Sequence, residues 1–160
     1  MKYLKKAFYI FIFLLVFQSY GQVEKEFVER KNSVSINVFG SSGIAGVTYE
    51  RLFFNHMGLE VGLGAFGFGG GITYYPLAVQ KNKINPYIGV KYNQIIVMLS
   101  EAVYAPIGIT YTSKWNVTFG ADIGFAYYPD KRFGGNVPMF KIKENSQIGY
   151  LWNVKIGYRF

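Results

Sequence analysis

The sequence predicts an all-β protein, an eight-stranded antiparallel transmembrane β-barrel, and three observations carry that prediction. From Ser33 to Phe160 almost every stretch alternates in character with a period of two, and no window of helical length shows an apolar stripe with a 3.6-residue period. The two faces so defined are inverted relative to a water-soluble sheet: one is a continuous aliphatic and aromatic band, the other is built of Gly, Ser, Thr, Asn and charged residues. The composition agrees, with 160 residues that are 51% hydrophobic, 19% aromatic and only 16% charged, including 19 Gly and no Cys. That balance excludes a disordered chain, a disulfide-stapled domain, a thiolate metal centre and a cysteine nucleophile.

The chain opens on a leader. Lys2, Lys5 and Lys6 precede an unbroken apolar run from Ala7 to Phe17, with Ser19 and Gly21 in the small-residue positions of a cleavage site. The run is too short to cross a bilayer as a helix, which needs ~20 residues. Residues 1–21 are therefore read as a signal peptide cut before Gln22, and no Cys follows Gly21 to accept a lipid. Three of the basic residues behind the formal charge of +8 lie in this leader, so much of that charge serves export. Residues 22–32 form a short N-terminal segment, and residues 33–160 form the barrel.

Each strand is justified by its outward set. The first carries Val34, Ile36 and Val38, the second Ala45, Val47 and Tyr49, the third Leu59, Val61, Leu63 and Ala65, and the fourth Phe68, Ile72 and Tyr74. The fifth carries Ile88, Val90 and Tyr92, and the sixth Ile107, Ile109 and Tyr111. The seventh runs from Trp115 through Val117, Phe119, Ala121, Ile123 and Phe125 to Tyr127, and the eighth from Ile148 through Tyr150, Trp152, Val154, Ile156 and Tyr158 to Phe160. The opposite register holds Ser35 and Asn37, then Thr48 and Glu50, then Glu60 beside Gly62 and Gly64, then Gly69, Gly71 and Thr73, and continues so to Lys155 and Arg159. Most strand glycines share this face, where a Cβ would crowd a narrow lumen.

Eight strands of roughly ten residues, each with a connection, fit the length left after the leader. Closure is required because an open edge would leave backbone donors and acceptors unpaired in hydrocarbon. If both termini face the periplasm, as is usual for barrels of this kind, the turns at Asn55-His56 and Ser113-Lys114 are short and periplasmic, and Pro129–Asn145 makes a long external loop. Two connections fit this plan less well: the first external loop, at Ser41-Ser42, is very short, and the periplasmic turn at Lys81–Asn85 is long.

Six charged residues fall on the lumen face, with Glu50, Glu60 and Asp122 balanced by Lys91, Lys155 and Arg159. Such charges are tolerated when paired, and an eight-stranded barrel is just wide enough to be filled by side chains. They are read as a structural polar plug, in preference to an ion path opened by exchange of partners. Above this charged floor, Phe39, Phe66, Ile95, Val97, Leu99 and Tyr128 are expected to point inward and seal the mouth. A shallow apolar pocket is the alternative.

Other chemistry finds little support. Gly62-Leu-Gly-Ala-Phe-Gly67 spells the dinucleotide-binding pattern but leads into another strand, where that motif requires a helix N-terminus. His56 is the only histidine, which excludes a multi-histidine metal site, and as a catalytic base it would sit in a periplasmic turn. Neither a catalytic centre nor a cofactor is expected. Lys131, Arg132, Lys141 and Lys143 make the 129–145 loop basic, so contact with anionic surface glycolipid or with a protein is the alternative to a merely solvated loop. No basic stripe interleaved with stacking aromatics is present, and nucleic acid is not expected as a partner.

These features resemble the small eight-stranded outer-membrane barrels of the OmpA/OmpX type exported by Gram-negative bacteria, over about residues 33–160. The most specific segment is the C-terminal one, where Trp152, Val154, Ile156, Tyr158 and Phe160 alternate up to a terminal Phe. The resemblance implies that this segment is read by the barrel assembly machinery. Val47-Thr-Tyr-Glu-Arg51 and Gly58-Leu-Glu-Val-Gly-Leu-Gly64 are similar to strands two and three of such barrels. The expectation is an outer-membrane protein in contact with lipid, structural or surface-interacting through external loops. A narrow channel for small solutes is the alternative, followed by a lipid-modifying enzyme that uses His56.

Overall fold

The computed structural model describes residues 27–96, 100–129 and 147–160, with Ser100 by its backbone alone. The leader, Val97, Leu99 and all of the 129–145 loop except Pro129 fall outside these residues. Eight strands close into one antiparallel barrel in which each pairs with the next and the last pairs with the first. They are β1 (Asn32–Val38), β2 (Ala45–Phe53), β3 (Met57–Gly64), β4 (Gly67–Tyr74), β5 (Ile84–Ile95), β6 (Ser100–Thr112), β7 (Val117–Tyr127) and β8 (Ile148–Arg159). The lower end is taken as the one where β1 begins and β8 ends.

The expected alternation holds on every strand. Outward residues stand free, as at Ile36 (65% exposed), Leu63 (74%) and Phe125 (72%), while Glu60, Lys91 and Arg159 are almost wholly buried. Because the side-chain period of a strand is two, the pairing of Val34 with Tyr49 and Tyr158, both outward, places Ser33, Glu50 and Arg159 together inside. The β5/β6 ladder is interrupted over two residue pairs, Gly89/Pro106 and Val90/Ala105. Ile88 pairs with Ile107 and Lys91 with Tyr104, and between them lies Pro106, which has no N–H to give.

Both ends of the barrel are closed, each by a connection that the period-two pattern does not describe. At the upper end the short first loop does not stand outside. It forms a single 3-10 turn, Gly40–Ser42, that folds into the lumen and buries both serines completely. Phe39 enters the turn at φ 65° and ψ −160°, a region otherwise reserved for glycine, and Gly40 and Gly43 follow at φ 75° and 79°. The glycines of β3 and β4 make room for it. A Cβ on Gly62 would lie 2.7 Å from the Ser41 carbonyl oxygen, and one on Gly69 would lie at the same distance from that atom.

At the lower end the long connection between β4 and β5 folds under the barrel. Val79 is bonded by its N–H to the Asn55 carbonyl and receives the Val28 N–H on its own, and Phe27 bridges Gln80. Val28, Leu52, Tyr75, Val79 and Tyr87 pack there as a buried apolar cluster. Residues that look like an overlong turn and a short N-terminal segment thus form one floor.

Candidate functional site

Between floor and turn, all six lumen charges join one network of alternating sign. Arg159 Nη2 lies 3.1 Å from Glu50 Oε2, and Lys155 Nζ spans Glu50 at 4.0 Å and Glu60 at 3.2 Å. Lys91 Nζ then spans Glu60 Oε1 and Asp122 Oδ2, each at 3.3 Å. The three acids and three bases cancel, so no net charge is buried. Pairing of this kind offsets a desolvation cost of several kcal/mol per ion. Glu60 is the hinge of the network, shared by Lys91 and Lys155, and it also meets the turn above.

Neutral side chains occupy many of the remaining positions around the carboxylates. Glu50 accepts from Tyr75 OH at 3.0 Å and from Ser33 Oγ at 3.3 Å. Asp122 Oδ2 accepts from Tyr87 OH at 2.5 Å and Asn153 Nδ2 at 2.9 Å. The Tyr87 ring lies between the two lysines, with Lys91 Nζ 5.7 Å and Lys155 Nζ 5.9 Å from its centroid, within cation–π range. Sequence reasoning missed Tyr75, Tyr87 and Tyr104, which it assigned to neither face of their strands. Their parity was a usable signal for two of them: Tyr87 lies two residues before Gly89 and four before Lys91, and Tyr104 four before Gly108.

The upper turn is tied to this network. Ser41 Oγ donates to Glu60 Oε1, Asn93 Nδ2 donates to the Gly40 carbonyl at 3.0 Å, and Asn37 Nδ2 donates to the Phe39 carbonyl at 2.9 Å. Phe39 N–H closes the turn onto the Ile44 carbonyl. Around the turn, Ala102, Tyr104, Ala126, Tyr128 and Leu151 form an apolar cluster with Phe39 against it, and the Phe39 ring meets Trp152 edge-on at 4.8 Å.

Of the residues expected at an apolar mouth, Tyr128 is buried, Phe39 is partly buried at the rim, and Ile95 is half-buried at the end of β5 opposite Gly67. Val97 and Leu99 lie outside the described residues. Phe66 is a correction. It is 43% exposed, because the β3–β4 hairpin closes at the Gly64/Gly67 pair and leaves Ala65 and Phe66 as a tip beyond the lumen. The mouth is filled instead by the turn itself.

The glycine-rich Gly62–Gly67 segment is the β3–β4 hairpin. His56 lies in the β2–β3 turn with Nδ1 2.9 Å from the Tyr75 carbonyl oxygen, beside the floor. Trp152, Val154, Ile156, Tyr158 and Phe160 all point outward at the β8 end of the chain. No His/Cys/Asp/Glu cluster suited to a metal ion occurs among the described residues. The arrangement is chemically quiet: the carboxylates are neutralised by bases, and the Tyr75 and Tyr87 phenols are spent on Glu50 and Asp122. No family model, no curated protein and no solved structure matches the chain.

Proposed function

We propose that the chain is an integral outer-membrane β-barrel of the small OmpA/OmpX type, exported by a cleaved leader, that acts as a closed scaffold for its upper-end loops and not as an enzyme. The observation that carries this reading is the apolar outer band around an interior in which every charged side chain has a partner of opposite sign. In water such a band would expose far more contiguous apolar surface than soluble monomers carry; in a bilayer it is the required face. Closure supports it further, since every strand edge is paired.

The channel reading loses support from the two seals, the Phe39–Ile44 turn above and the Val28/Val79/Tyr75 floor below. What remains for function is display. The barrel holds the 129–145 loop at the upper end, where its bases suit an anionic glycolipid or a protein surface. The alternating C-terminal residues would serve recognition by the assembly machinery.

Cell fractionation with gel migration tests the reading. The chain is expected in the outer-membrane fraction after urea washing, with an unheated band that migrates differently from the boiled one. Recovery in the soluble periplasmic fraction would reject it.

A further inference from the structure

The lower rim is strongly basic. Among the described residues it carries Arg30, Lys31, Arg51, Lys81, Lys83 and Lys114 against one acid, Glu29. Lys31 is occupied in tying the floor, donating to the Val28 carbonyl and to Asn55 Oδ1. Three of the others share a different arrangement, in which a base is set against an outward aromatic at the edge of the apolar band.

Arg51 lies inside the band, two residues before the end of β2, and its guanidinium reaches over Phe53 with Cζ 5.8 Å from the ring centroid. Lys114 Nζ lies 4.9 Å from the centroid of Trp115, which is 71% exposed in the β6–β7 turn. Arg30 Nη1 donates to Tyr158 OH at 3.0 Å beside the β1/β8 seam. None of the three is bridged to a carboxylate among the described residues. The aromatics fix the height of the bases, because their rings favour the boundary between hydrocarbon and headgroups, and a long basic side chain there extends its charge to the polar side.

We propose that the lower rim is a binding collar for anionic phospholipid headgroups, with Arg30, Arg51 and Lys114 as its contact bases. The proposal rests on the membrane reading above and adds a partner to it. Charge complementarity selects the occupant. A phosphate diester supplies the anion these bases lack among the described residues, and the contacts recur along the arc from the β6–β7 turn through the β8/β1 seam to β2, as a leaflet allows and a single small soluble ligand would not.

Trp115 is its own reporter. The purified chain, as the host cell processes it, carries Trp152→Phe so that Trp115 is the only tryptophan. It is reconstituted in phosphatidylcholine vesicles containing a minor fraction of either brominated phosphatidylglycerol or brominated phosphatidylcholine. The expected result is stronger quenching by the glycerol lipid, with a preference of about fivefold for each base in contact. The preference should fall in 1 M salt, where screening acts within ~3 Å, and in Arg30→Gln/Arg51→Gln/Lys114→Gln. The salt arm uses the unaltered rim and stands even if that variant fails to fold. Equal quenching by the two lipids would overturn the collar and leave the membrane reading intact. Failure to float with vesicles, with no quenching by either lipid, would overturn both.

Discussion

Ser41 and Glu60 join the two parts of the lumen: a hydroxyl on the turn that follows β1 donates to a carboxylate on the wall of β3, which is itself shared by Lys91 and Lys155. The turn is thereby anchored to the charge network and does not merely rest above it. Its backbone geometry would not hold unaided, since Phe39 occupies a conformation that costs about 1–3 kcal/mol for a residue other than glycine.

This anchor predicts an order of effects. Ser41→Ala removes one charge-assisted hydrogen bond and should lower stability by about 1.5–3 kcal/mol. Glu60→Gln leaves Lys91 and Lys155 short of a partner and should cost more, about 3–5 kcal/mol. Urea unfolding of the two variants in lipid vesicles checks the ranking, and equal losses would contradict it.

Gly62 tests the seat of the turn. The nearest atoms to a Cβ placed there all belong to the backbone of Ser41 and Ser42, so Gly62→Val collides with the turn first. Destabilisation of about 1–3 kcal/mol is expected from overpacking. The cost should shrink when Phe39–Ile44 is replaced by a two-residue link, a coupling that a double-mutant cycle measures. An unchanged cost would mean that the turn does not fill the lumen in solution.

The Glu50–Arg159 contact closes the network beside the β1/β8 seam. Arg159→Gln and Glu50→Gln should each destabilise by about 3–5 kcal/mol, and the double variant by clearly less than their sum, because each single change strands a buried charge. Additive losses in chemical unfolding would show that the pair is not coupled.

Two seals in series make a prediction for conductance. The unaltered chain should give no steady steps in planar bilayers, and shortening the upper turn should not create them, since Val28 and Val79 still close the floor. Steps should appear only when Val79→Asp is added to the shortened turn. Stable conductance by the unaltered chain would contradict the closed lumen.

The wall of the barrel was legible in the sequence and its closures were not, for a physical reason. A strand has a side-chain period of two, so Val34 or Ile109 declares its face by position alone, and the same parity puts Glu50, Lys91 and Asp122 inside. The turn and the floor are aperiodic. Their placement depends on positive-φ residues such as Phe39, Gly43 and Asn82 and on contacts between distant segments, Ser41 with Glu60 or Val28 with Val79. The two connections whose lengths fitted poorly, at Ser41-Ser42 and Lys81–Asn85, proved to be the ones that belong to these closures. Phe66 went the other way: its hydrophobicity suggested the mouth, but a two-residue hairpin tip has no inward face.

The most direct test concerns what solvent touches the outer band. The chain has no cysteine, so Ile107→Cys, at an outward position of β6 that is 68% exposed, can carry a single nitroxide label without background. After the labelled chain is recovered in vesicles, paramagnetic resonance compares collisions with oxygen, which concentrates in hydrocarbon, and with a water-soluble nickel chelate. Oxygen collisions should dominate at Ile107, whereas dominance of the nickel chelate would show that the band faces water and contradict the account.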